Sequence, residues 1–241
     1  MIDFHTHILP NIDDGSSSVQ ETAGLLAEEK RQGVECIVAT PHFYANRIGV
    51  EEFLRRRERS IQEMNSHLLD LYGSVETDRV PKLRYGAEVY FFPGMGQAEK
   101  ISSLCVTGTR QILVEMPFAQ WNDSIYREIE SIITRQRLHV VLAHVERYPE
   151  FQKDHRTFDR ILELPLTIQL NGGSFINSRS KRKFCMNILK EFDNVILGSD
   201  THNLTSRTPN LKEAREVIAK KAGQARLDMI DDLTQRLLTE G

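Results

Sequence analysis

The sequence is poor in cysteine, has no long apolar run and carries no excess of positive charge. Its three cysteines, Cys36, Cys105 and Cys185, stand at wide and unrelated spacings. An odd number at such spacings argues against a disulfide framework or a zinc knuckle and favours reduced core thiols. No stretch approaches the roughly 20 apolar residues of a membrane span, and Met1 is followed almost at once by Asp3, which leaves no room for a secretory signal. We therefore expect a cytoplasmic protein without membrane insertion.

The charge balance argues against a nucleic-acid partner. The formal net charge is -3 with histidine neutral, whereas binding to a phosphate backbone usually requires a clear positive excess. The arginine-rich run at 55–59 is interpreted as a solvated helix face, because Glu51, Glu52 and Glu63 lie in the same helical stretch. A hydrophobic fraction of 40% is enough for a sizeable core. A single barrel often fills a length of 241 residues, so we predict one domain over residues 1–241.

Short apolar runs alternate with stretches of helical spacing along the chain. This alternation predicts an α/β fold with a parallel sheet, either doubly wound or closed as a barrel. The predicted strands cover residues 2–4, 36–39, 83–89, 112–115, 140–143, 167–170 and 195–198, and the predicted helices cover residues 19–32, 50–71, 124–136, 156–164, 180–191, 211–221 and 225–238.

Reactive side chains stand at the ends of nearly all the predicted strands. An open sheet gathers its ligands at one switch point, whereas a barrel takes catalytic groups from many strand ends. The distribution therefore favours a barrel. The residues are His5 and His7 at the end of the first strand, His42 after the second, Glu88 and Glu115 at the third and fourth, His144 after the fifth, and Asp200 and His202 after the seventh.

Each of these residues also has an ordinary structural interpretation when it is taken alone. A His-x-His pair on a strand places both imidazoles on one face, yet such a pair also occurs by chance. Asp14, in the turn after His7, could be a turn or cap residue, and His144 could be a hydrogen-bonded core histidine. Glu88 and Glu115 continue buried strands, where a carboxylate is costly unless it is paired or holds a cation. Without a metal site, all of these separate structural interpretations would have to be correct together, which is improbable. The set of residues therefore favours a shared metal site.

The complete donor set is too large for a single zinc ion. Its imidazoles and carboxylates suit a cluster of two or three divalent ions such as manganese, iron or zinc, and such hydrolytic sites use a metal-bound water as the nucleophile. Arg147 and Arg207 follow two of the strand ends and are candidates for bidentate contacts to a phosphate. The predicted ligands are His5, His7, Asp14, His42, Glu88, Glu115, His144, Asp200 and His202.

These motifs together resemble the PHP superfamily (polymerase and histidinol phosphatase), and most closely its bacterial tyrosine-protein phosphatases from capsular and exopolysaccharide loci. The resemblance covers nearly the whole chain. His-x-His is shared with many metallohydrolases, while the stretches at 144–148 and 198–203 are similar to this subfamily in particular. The matching segments lie at 2–10, 13–16, 39–42, 86–88, 115–117, 143–148, 169–172 and 198–203.

The resemblance implies a distorted seven-stranded, TIM-like (β/α)7 barrel with a trinuclear, usually manganese-dependent site. It implies attack of a metal-bound hydroxide on phosphotyrosine, with a tyrosine autokinase that controls capsular or exopolysaccharide export as the natural substrate. Arg147 and Arg207 match family arginines near the substrate phosphate, and His42 or His202 could assist by proton transfer. The implied ligand sets are His5, His7, Glu88 and Asp200 for one ion, Glu88, Glu115 and His144 for a second, and Asp14, His42 and His202 for the third.

Several alternatives to this function stay open on the sequence. A cysteine-dependent tyrosine phosphatase needs the spacing Cys-x5-Arg, and the nearest match, from Cys105 to Arg110, is one residue too short. A related phosphoesterase could act on histidinol phosphate or a nucleotide. An amidohydrolase barrel also opens with His-x-His, but it often has a lysine where this chain has Glu115. A non-catalytic scaffold could recognise phosphotyrosine without cleaving it.

Overall fold

The computed structural model describes residues 1–75 and 77–239 of the chain. Strands and helices alternate along it, as the hydrophobic pattern predicts. The strands are β1 (Ile2–Thr6), β2 (Cys36–Ala39), β3 (His42–Phe43), β4 (Lys82–Tyr85), β5 (Glu88–Tyr90), β6 (Gln111–Glu115), β7 (His139–Leu142), β8 (Thr167–Asn171) and β9 (Val195–Gly198). The helices are α1 (Val19–Arg31), α2 (Val50–Tyr72), α3 (Asp123–Thr134), α4 (Arg156–Leu162), α5 (Gly172–Ile176), α6 (Arg179–Glu191), α7 (Leu211–Ala222) and α8 (Gln224–Thr239).

The described strands form two parallel sheets. One has the order β1-β2-β4 and the other the order β3-β5-β6-β7-β8-β9. Parallel neighbours require a crossover between them, and the longer helices fill most of these crossovers. The register of β3 and β5 places the Cα of His42 opposite that of Glu88. Two of the candidate ligands are therefore neighbours through strand pairing alone.

Backbone contacts link the two sheets at the carboxyl ends of β1 and β9. The N–H of Asp200 donates to the carbonyl of His5 at 2.9 Å, and the N–H of His7 donates to the carbonyl of Thr201 at 2.8 Å. The end of the first strand therefore lies beside the end of the last one. This contact brings the His-x-His segment next to the Asp200 loop, although the two are almost 200 residues apart in the sequence.

The predicted α/β class with parallel strands is confirmed. The predicted strand at 83–89 is divided into β4 and β5 by residues 86–87, and β2 leads into β3 after residues 40–41. Pro41 has no N–H for a ladder, and Gly86 lies so close to Val106 that a Cβ on it would be 3.2 Å from that side chain. The hydrophobic pattern does not predict β3 or α5, because each is too short to show a period.

Both faces of the central strands are buried. On β6, Leu113 belongs to a small cluster with Phe4 and Ile196, whereas its neighbours Ile112 and Val114 belong to the large cluster that includes residues of the helices. This alternation follows from the two-residue period of a strand. Polar side chains are therefore exceptional on these strands, and they concentrate at the strand ends.

The arginine-rich run of α2, the cysteines and the helices bear on the expectations from composition. Arg55 and Arg56 are exposed and pair with Glu52 on α2, as expected for a solvated helix face. Cys36, Cys105 and Cys185 are free thiols. Within residues 1–75 and 77–239, no helix combines the length and the apolar character needed to cross a membrane. The cytoplasmic location stays a prediction.

We predict that Gly198→Ala destabilises the protein. A Cβ on Gly198 would lie 2.6 Å from the Cβ of His5 and 2.9 Å from Nε2 of Gln169, so β1 or β8 would have to shift. Overpacking of this kind costs about 1–3 kcal/mol of unfolding free energy. Gly49→Ala is the matched control, because nothing lies within 4 Å of the added carbon. Urea unfolding of both variants measures the effect, and equal midpoints would contradict the prediction.

Candidate metal centre

The candidate ligands gather at the carboxyl ends of the parallel strands. All nine predicted residues approach one another there, and seven of them expose at most 5% of their surface. Two lie nearer to solvent: His42 is half-buried, and the side chain of Asp14 is 66% exposed. So many buried polar groups are costly unless each is paired or holds a cation.

A first group contains the two histidines of the His-x-His segment. Nε2 of His5 lies 3.1 Å from Nε2 of His7. Oε2 of Glu88 lies 3.4 and 3.3 Å from these two nitrogens, and Oδ1 of Asp200 lies 3.7 and 3.5 Å from them. Four donors bound about 2.1 Å from one tetrahedral ion would be roughly 3.4 Å apart. The four side chains are therefore spaced to hold one divalent ion.

A second group surrounds the other oxygen of Glu88. Its Oε1 lies 2.9 Å from Nε2 of His144, and Oε1 of Glu115 lies 3.5 Å from the same nitrogen. His42 lies between the first and second groups. Its Nδ1 is 2.9 Å from Oε2 of Glu88, the oxygen of the first group, and 3.8 Å from Oε2 of Glu115, which belongs to the second. Glu88 therefore faces both the first and the second group.

A third group forms around Asp14. Nε2 of His42 and Nε2 of His202 each lie 3.5 Å from Oδ1 of Asp14. His7 joins them, since one donor atom from each of the four residues lies within 4.8 Å of the others. His42 contacts the second group through one ring nitrogen and the third through the other. The three groups are thus continuous.

The residues present fit bound divalent ions. Among the described residues, three buried atoms of the cluster make no well-aligned hydrogen bond, namely Oε2 of Glu88, Nδ1 of His42 and Nε2 of His202, although the first two lie 2.9 Å apart. A buried polar atom left without a partner costs about 1–3 kcal/mol. A cation at these positions would remove that cost, and mixed nitrogen and oxygen donors suit manganese, iron or zinc.

The pKa values of Glu88 and His144 show that a negative carboxylate and a protonated imidazole are favoured in the cluster when it holds no metal ion. Burial raises the pKa of Glu88, but the charge of His5 and hydrogen bonds from other histidines offset this and hold the pKa well below its usual range. Burial lowers the pKa of His144, but hydrogen bonds to Glu115 and Glu88 raise it to about 9. Protons on such imidazoles compete with a metal ion, because only the neutral ring binds one.

Two arginines contact the carboxylate of Asp200. The guanidinium of Arg147 pairs with Oδ2, and Nη2 of Arg207 donates to Oδ1 at 2.7 Å. About a third of each arginine side chain is exposed, 30% for Arg147 and 36% for Arg207. Both guanidinium groups are therefore accessible from solvent at the edge of the ligand cluster, where an anion could reach them.

Two of the candidate ligands have an unusual backbone conformation. The φ angles of His144 and Asp200 are 30° and 56°. A non-glycine residue with positive φ costs about 1–3 kcal/mol and persists only where its surroundings impose it. At His144, the backbone N–H donates to Oε1 of Gln169 at 2.8 Å. Such conformations concentrate at functional sites.

Asp13 is a positioning residue that sequence reasoning missed. Its Oδ2 accepts hydrogen bonds from Nδ1 of His7 at 2.7 Å and from the backbone N–H of His42 at 3.0 Å. Because Nδ1 of His7 donates, Nε2 is left to face the first group. The aspartate lies in the matched Asp13-Asp14-Gly15 segment, and that position was the available signal.

Gln169 and Asn171 on β8 are also missed positioning residues. Oε1 of Gln169 accepts a hydrogen bond from Nδ1 of His5 at 3.0 Å. The protonated nitrogen of that ring therefore faces Gln169, and Nε2 is left to face the first group. Nδ2 of Asn171 donates to Oδ2 of Asp200 at 2.8 Å. No candidate ligand lies on the sixth predicted strand. The two amides of β8 instead form hydrogen bonds to candidate ligands on or after β1 and β9.

The buried carboxyl group of Asp3 links β1 to the residue after β9. Oδ1 of Asp3 accepts from the N–H groups of His5 at 3.2 Å and Ser199 at 2.9 Å. Burial raises the pKa of Asp3 to about 6, and burial next to Asp3 raises the pKa of Glu29 well above its usual value. Asp3 thus fixes the backbone beside two candidate ligands, His5 and Asp200.

Aromatic rings flank the cluster on two sides. The ring of Tyr44 lies 5.2 Å from that of His42. On the other side, the ring of Phe118 lies 6.1 Å from that of His144 and 5.5 Å from that of Phe151. Phe118 and Phe151 are each 38% exposed, which is high for large apolar side chains. A flat apolar group entering the site would therefore have rings to pack against.

We predict that the metal-free protein loses stability as the pH rises from about 6.5 to about 9. The pKa of His144 is raised from 6.5 to about 9, so in this window the folded state keeps a proton that the unfolded state has released. The stabilisation is complete below pH 6.5 and disappears as the pH passes 9. Thermal unfolding of chelator-treated protein at both pH values measures the change.

The His144→Gln variant should lose less stability over the same window, and His155→Gln, at an exposed position, is its matched control. Added Mn²⁺ should reverse the trend, because neutral imidazoles bind the ion more tightly at high pH. A metal-free protein with a higher Tm at pH 9 than at pH 6.5 would contradict the account.

Comparison with known proteins gives a consistent result over almost the full length. Tyrosine-protein phosphatase CpsB of Streptococcus pneumoniae is 32% identical to this chain, with 92% of this chain and 91% of that protein covered. Tyrosine-protein phosphatase YwqE of Bacillus subtilis (strain 168) is 28% identical, with 99% and 91% covered.

The fold has a similarly close counterpart among solved structures. A structure from work on YwqE of Bacillus subtilis and CpsB of Streptococcus pneumoniae, described as unique metal-dependent tyrosine phosphatases, superimposes with a TM-score of 0.83 at 23% identity. The superposition covers 99% of this chain and 94% of that one. The family model for capsular polysaccharide synthesis, CpsB/CapC, matches residues 1–235. The chain belongs to the CpsB/CapC family.

Proposed function

We propose that this chain is a metal-dependent protein-tyrosine phosphatase. The observation that carries the proposal is the continuous cluster of nitrogen and carboxylate donors with two partly exposed arginines at its edge. A cluster of divalent ions beside two guanidinium groups is suited to a phosphate monoester. The names of the relatives CpsB and YwqE, both tyrosine-protein phosphatases, support the same activity.

The proposed ions are two or three divalent cations, manganese by the family resemblance, with iron or zinc as alternatives of similar ligand preference. Glu88 would bridge the first two, because each of its oxygens faces a different group. The proposed ligand sets are His5, His7, Glu88 and Asp200 for the first ion, Glu88, Glu115 and His144 for the second, and Asp14, His42 and His202 for the third.

Bound ions of this type supply Lewis-acid charge and lower the pKa of water so that it becomes a nucleophile near neutral pH. The chain itself supplies orientation. Arg147 and Arg207 would hold two phosphate oxygens by charge-assisted hydrogen bonds, in exchange for their contacts to Asp200. A tyrosyl leaving group has a pKa near ~10 and needs less help from an acid than a seryl alkoxide does.

The aromatic rings favour phosphotyrosine over phosphoserine. The ring of Tyr44 lies next to that of His42, and the ring of Phe118 lies next to that of His144. A phenyl ring attached to the phosphate could pack against either of them, whereas a seryl side chain has no ring to bury. The half-exposed Phe118 is available for this contact.

A cysteine-dependent mechanism does not fit the same structure. Cys105 is the only cysteine with an arginine at nearly the required spacing. Its thiol is buried, and burial raises its pKa to about 11. A nucleophilic cysteine needs the opposite, a lowered pKa and access to substrate. Cys105 is better explained as a core residue.

The proposed physiological substrate is a phosphotyrosine protein of capsular or exopolysaccharide synthesis, and a tyrosine kinase of polysaccharide export is the proposed partner. The membership of the CpsB/CapC family supports the link to polysaccharide synthesis. The family resemblance of the site motifs supports the kinase as the phosphorylated protein.

The function is tested by turnover on phosphotyrosine peptide, phosphoserine peptide and histidinol phosphate, before and after removal of metal. We expect hydrolysis of the phosphotyrosine peptide at the highest kcat/KM, loss of activity with a chelator, and recovery with Mn²⁺. Cys105→Ser should keep its activity. Equal rates on all three substrates would contradict the tyrosine assignment, and activity that survives metal removal but fails in Cys105→Ser would contradict the mechanism.

The role of the arginines is tested in the same assay. Arg147→Ala should lower kcat/KM by about a hundredfold or more, as expected for the loss of a charged donor to a transferring group. Arg156→Ala is the matched control, because this exposed arginine pairs only with Asp154 among the ion pairs of the described chain. Unchanged metal content in Arg147→Ala would show that the loss is in phosphate binding.

A further inference from the structure

A polar cavity of about 420 Å³ opens beside the candidate metal centre, on the side of β8 and β9. Arg147, Arg207 and Asp200 line one part of it, and Asn177 and Lys181 line the part next to α6. Its volume lies within the range of about 300–1,000 Å³ that is usual for ligand sites. The cavity therefore shares Arg147, Arg207 and Asp200 with the candidate site and extends from it toward α6, where Lys181 has no part in that site.

Lys181 gives the cavity a positive charge beyond the two arginines proposed for the reacting phosphate. The one carboxylate at its inner edge, Asp200, already has both oxygens paired with Arg147 and Arg207. Lys181 is a further cation of the lining, and it is half-buried. The remaining acidic residue of the lining, Glu213, is exposed on α7. An anion in this cavity would therefore be attracted by Lys181 as well as by the arginines.

Lys181 belongs to a cluster of cations in the first two turns of α6. These turns contain Arg179, Lys181, Arg182 and Lys183, with no acidic residue in the first turn. Cations at the start of a helix are disfavoured by the helix dipole, so this arrangement is not explained by helix stability. Ser178 accepts a hydrogen bond from the backbone N–H of Lys181 at 3.3 Å, which shows that the helix end is already capped.

One of these cations is used inside the protein. Nε and Nη2 of Arg182 donate to the carbonyls of Phe175 and Ile176, the latter at 2.8 Å, and so hold α5 against α6. Lys181 lines the cavity instead. The whole chain has a net charge of -3, so this concentration of positive charge is a local feature and not a property of the composition.

We propose that this cavity binds a second anionic group of the substrate chain, a carboxylate or a phosphate close to the phosphotyrosine that is cleaved, and that Lys181 contacts it. The proposal rests on the proposed phosphatase function, because the cavity adjoins the arginines that would hold the reacting phosphate. It goes further in assigning a charge preference to the residues beside that phosphotyrosine. Acidic side chains and a second phosphotyrosine share this chemistry, and the experiment separates them.

The test compares three phosphotyrosine peptides that differ only beside the cleaved residue: neutral neighbours, glutamate neighbours, or a second phosphotyrosine. For each peptide, kcat/KM is measured and binding to the holoenzyme is followed by fluorescence anisotropy. The variants are Lys181→Met, which removes the charge and keeps the length, and Lys190→Met, the matched control in the last turn of α6. A small aryl phosphate reports whether the enzyme is active.

We expect wild-type enzyme and Lys190→Met to prefer at least one anionic peptide over the neutral one by about two- to fivefold, the size of one favourable charge contact. In Lys181→Met this ratio should fall toward one. A preference for the doubly phosphorylated peptide alone would assign the site to phosphate, and a preference for both would assign it to anions in general.

Equal kcat/KM and equal binding for all peptides, or an unchanged ratio in Lys181→Met, would overturn the proposal. If the small aryl phosphate is not hydrolysed, the proposed phosphatase function is contradicted, whatever the cavity binds. The anisotropy measurement then decides the binding proposal separately, because it does not depend on turnover.

Discussion

The carboxylate of Glu88 is the feature on which the candidate site depends. One of its oxygens lies 3.3 to 3.4 Å from ring nitrogens of His5 and His7, and the other lies 2.9 Å from His144. Burial raises the pKa of this carboxyl group, but the surrounding histidines hold the pKa well below its usual range. A negative charge is therefore kept in the interior, and it gives imidazoles from several strand ends a common centre that a divalent ion would share.

The protein holds these ligands from outside the cluster as well. Asp13 and Gln169 accept hydrogen bonds from Nδ1 of His7 and of His5, so both rings present Nε2 to the same space. Asp3 fixes the backbone of β1 beside that of β9. The positive φ angle of Asp200 is maintained within this arrangement. Neighbouring strands thus orient the candidate ligands by hydrogen bonds from outside the cluster.

The sequence predicted the strand positions and the candidate ligands because both leave a local signal. Each of Glu88, Glu115 and His144 directly follows an apolar run, where a polar residue needs an explanation. The break between β4 and β5 left no such signal, because it depends on the contact of Gly86 with Val106, a residue distant in the sequence. The sequence around amides such as Gln169, and around the exposed rings of Phe118 and Phe151, also gives no signal of their role. Only the packing of separate strands shows what they contact.

The proposal that Glu88 joins two ions in one cluster is best tested by measuring the metal content of the protein. Wild-type protein and Glu88→Gln, a substitution that keeps the shape and removes the charge, are purified with Mn²⁺ present and analysed for bound metal by mass spectrometry. The account predicts at least two divalent ions per wild-type chain and loss of most of that metal from Glu88→Gln, with folding verified by circular dichroism. A folded Glu88→Gln protein with the same metal content as the wild type would contradict it.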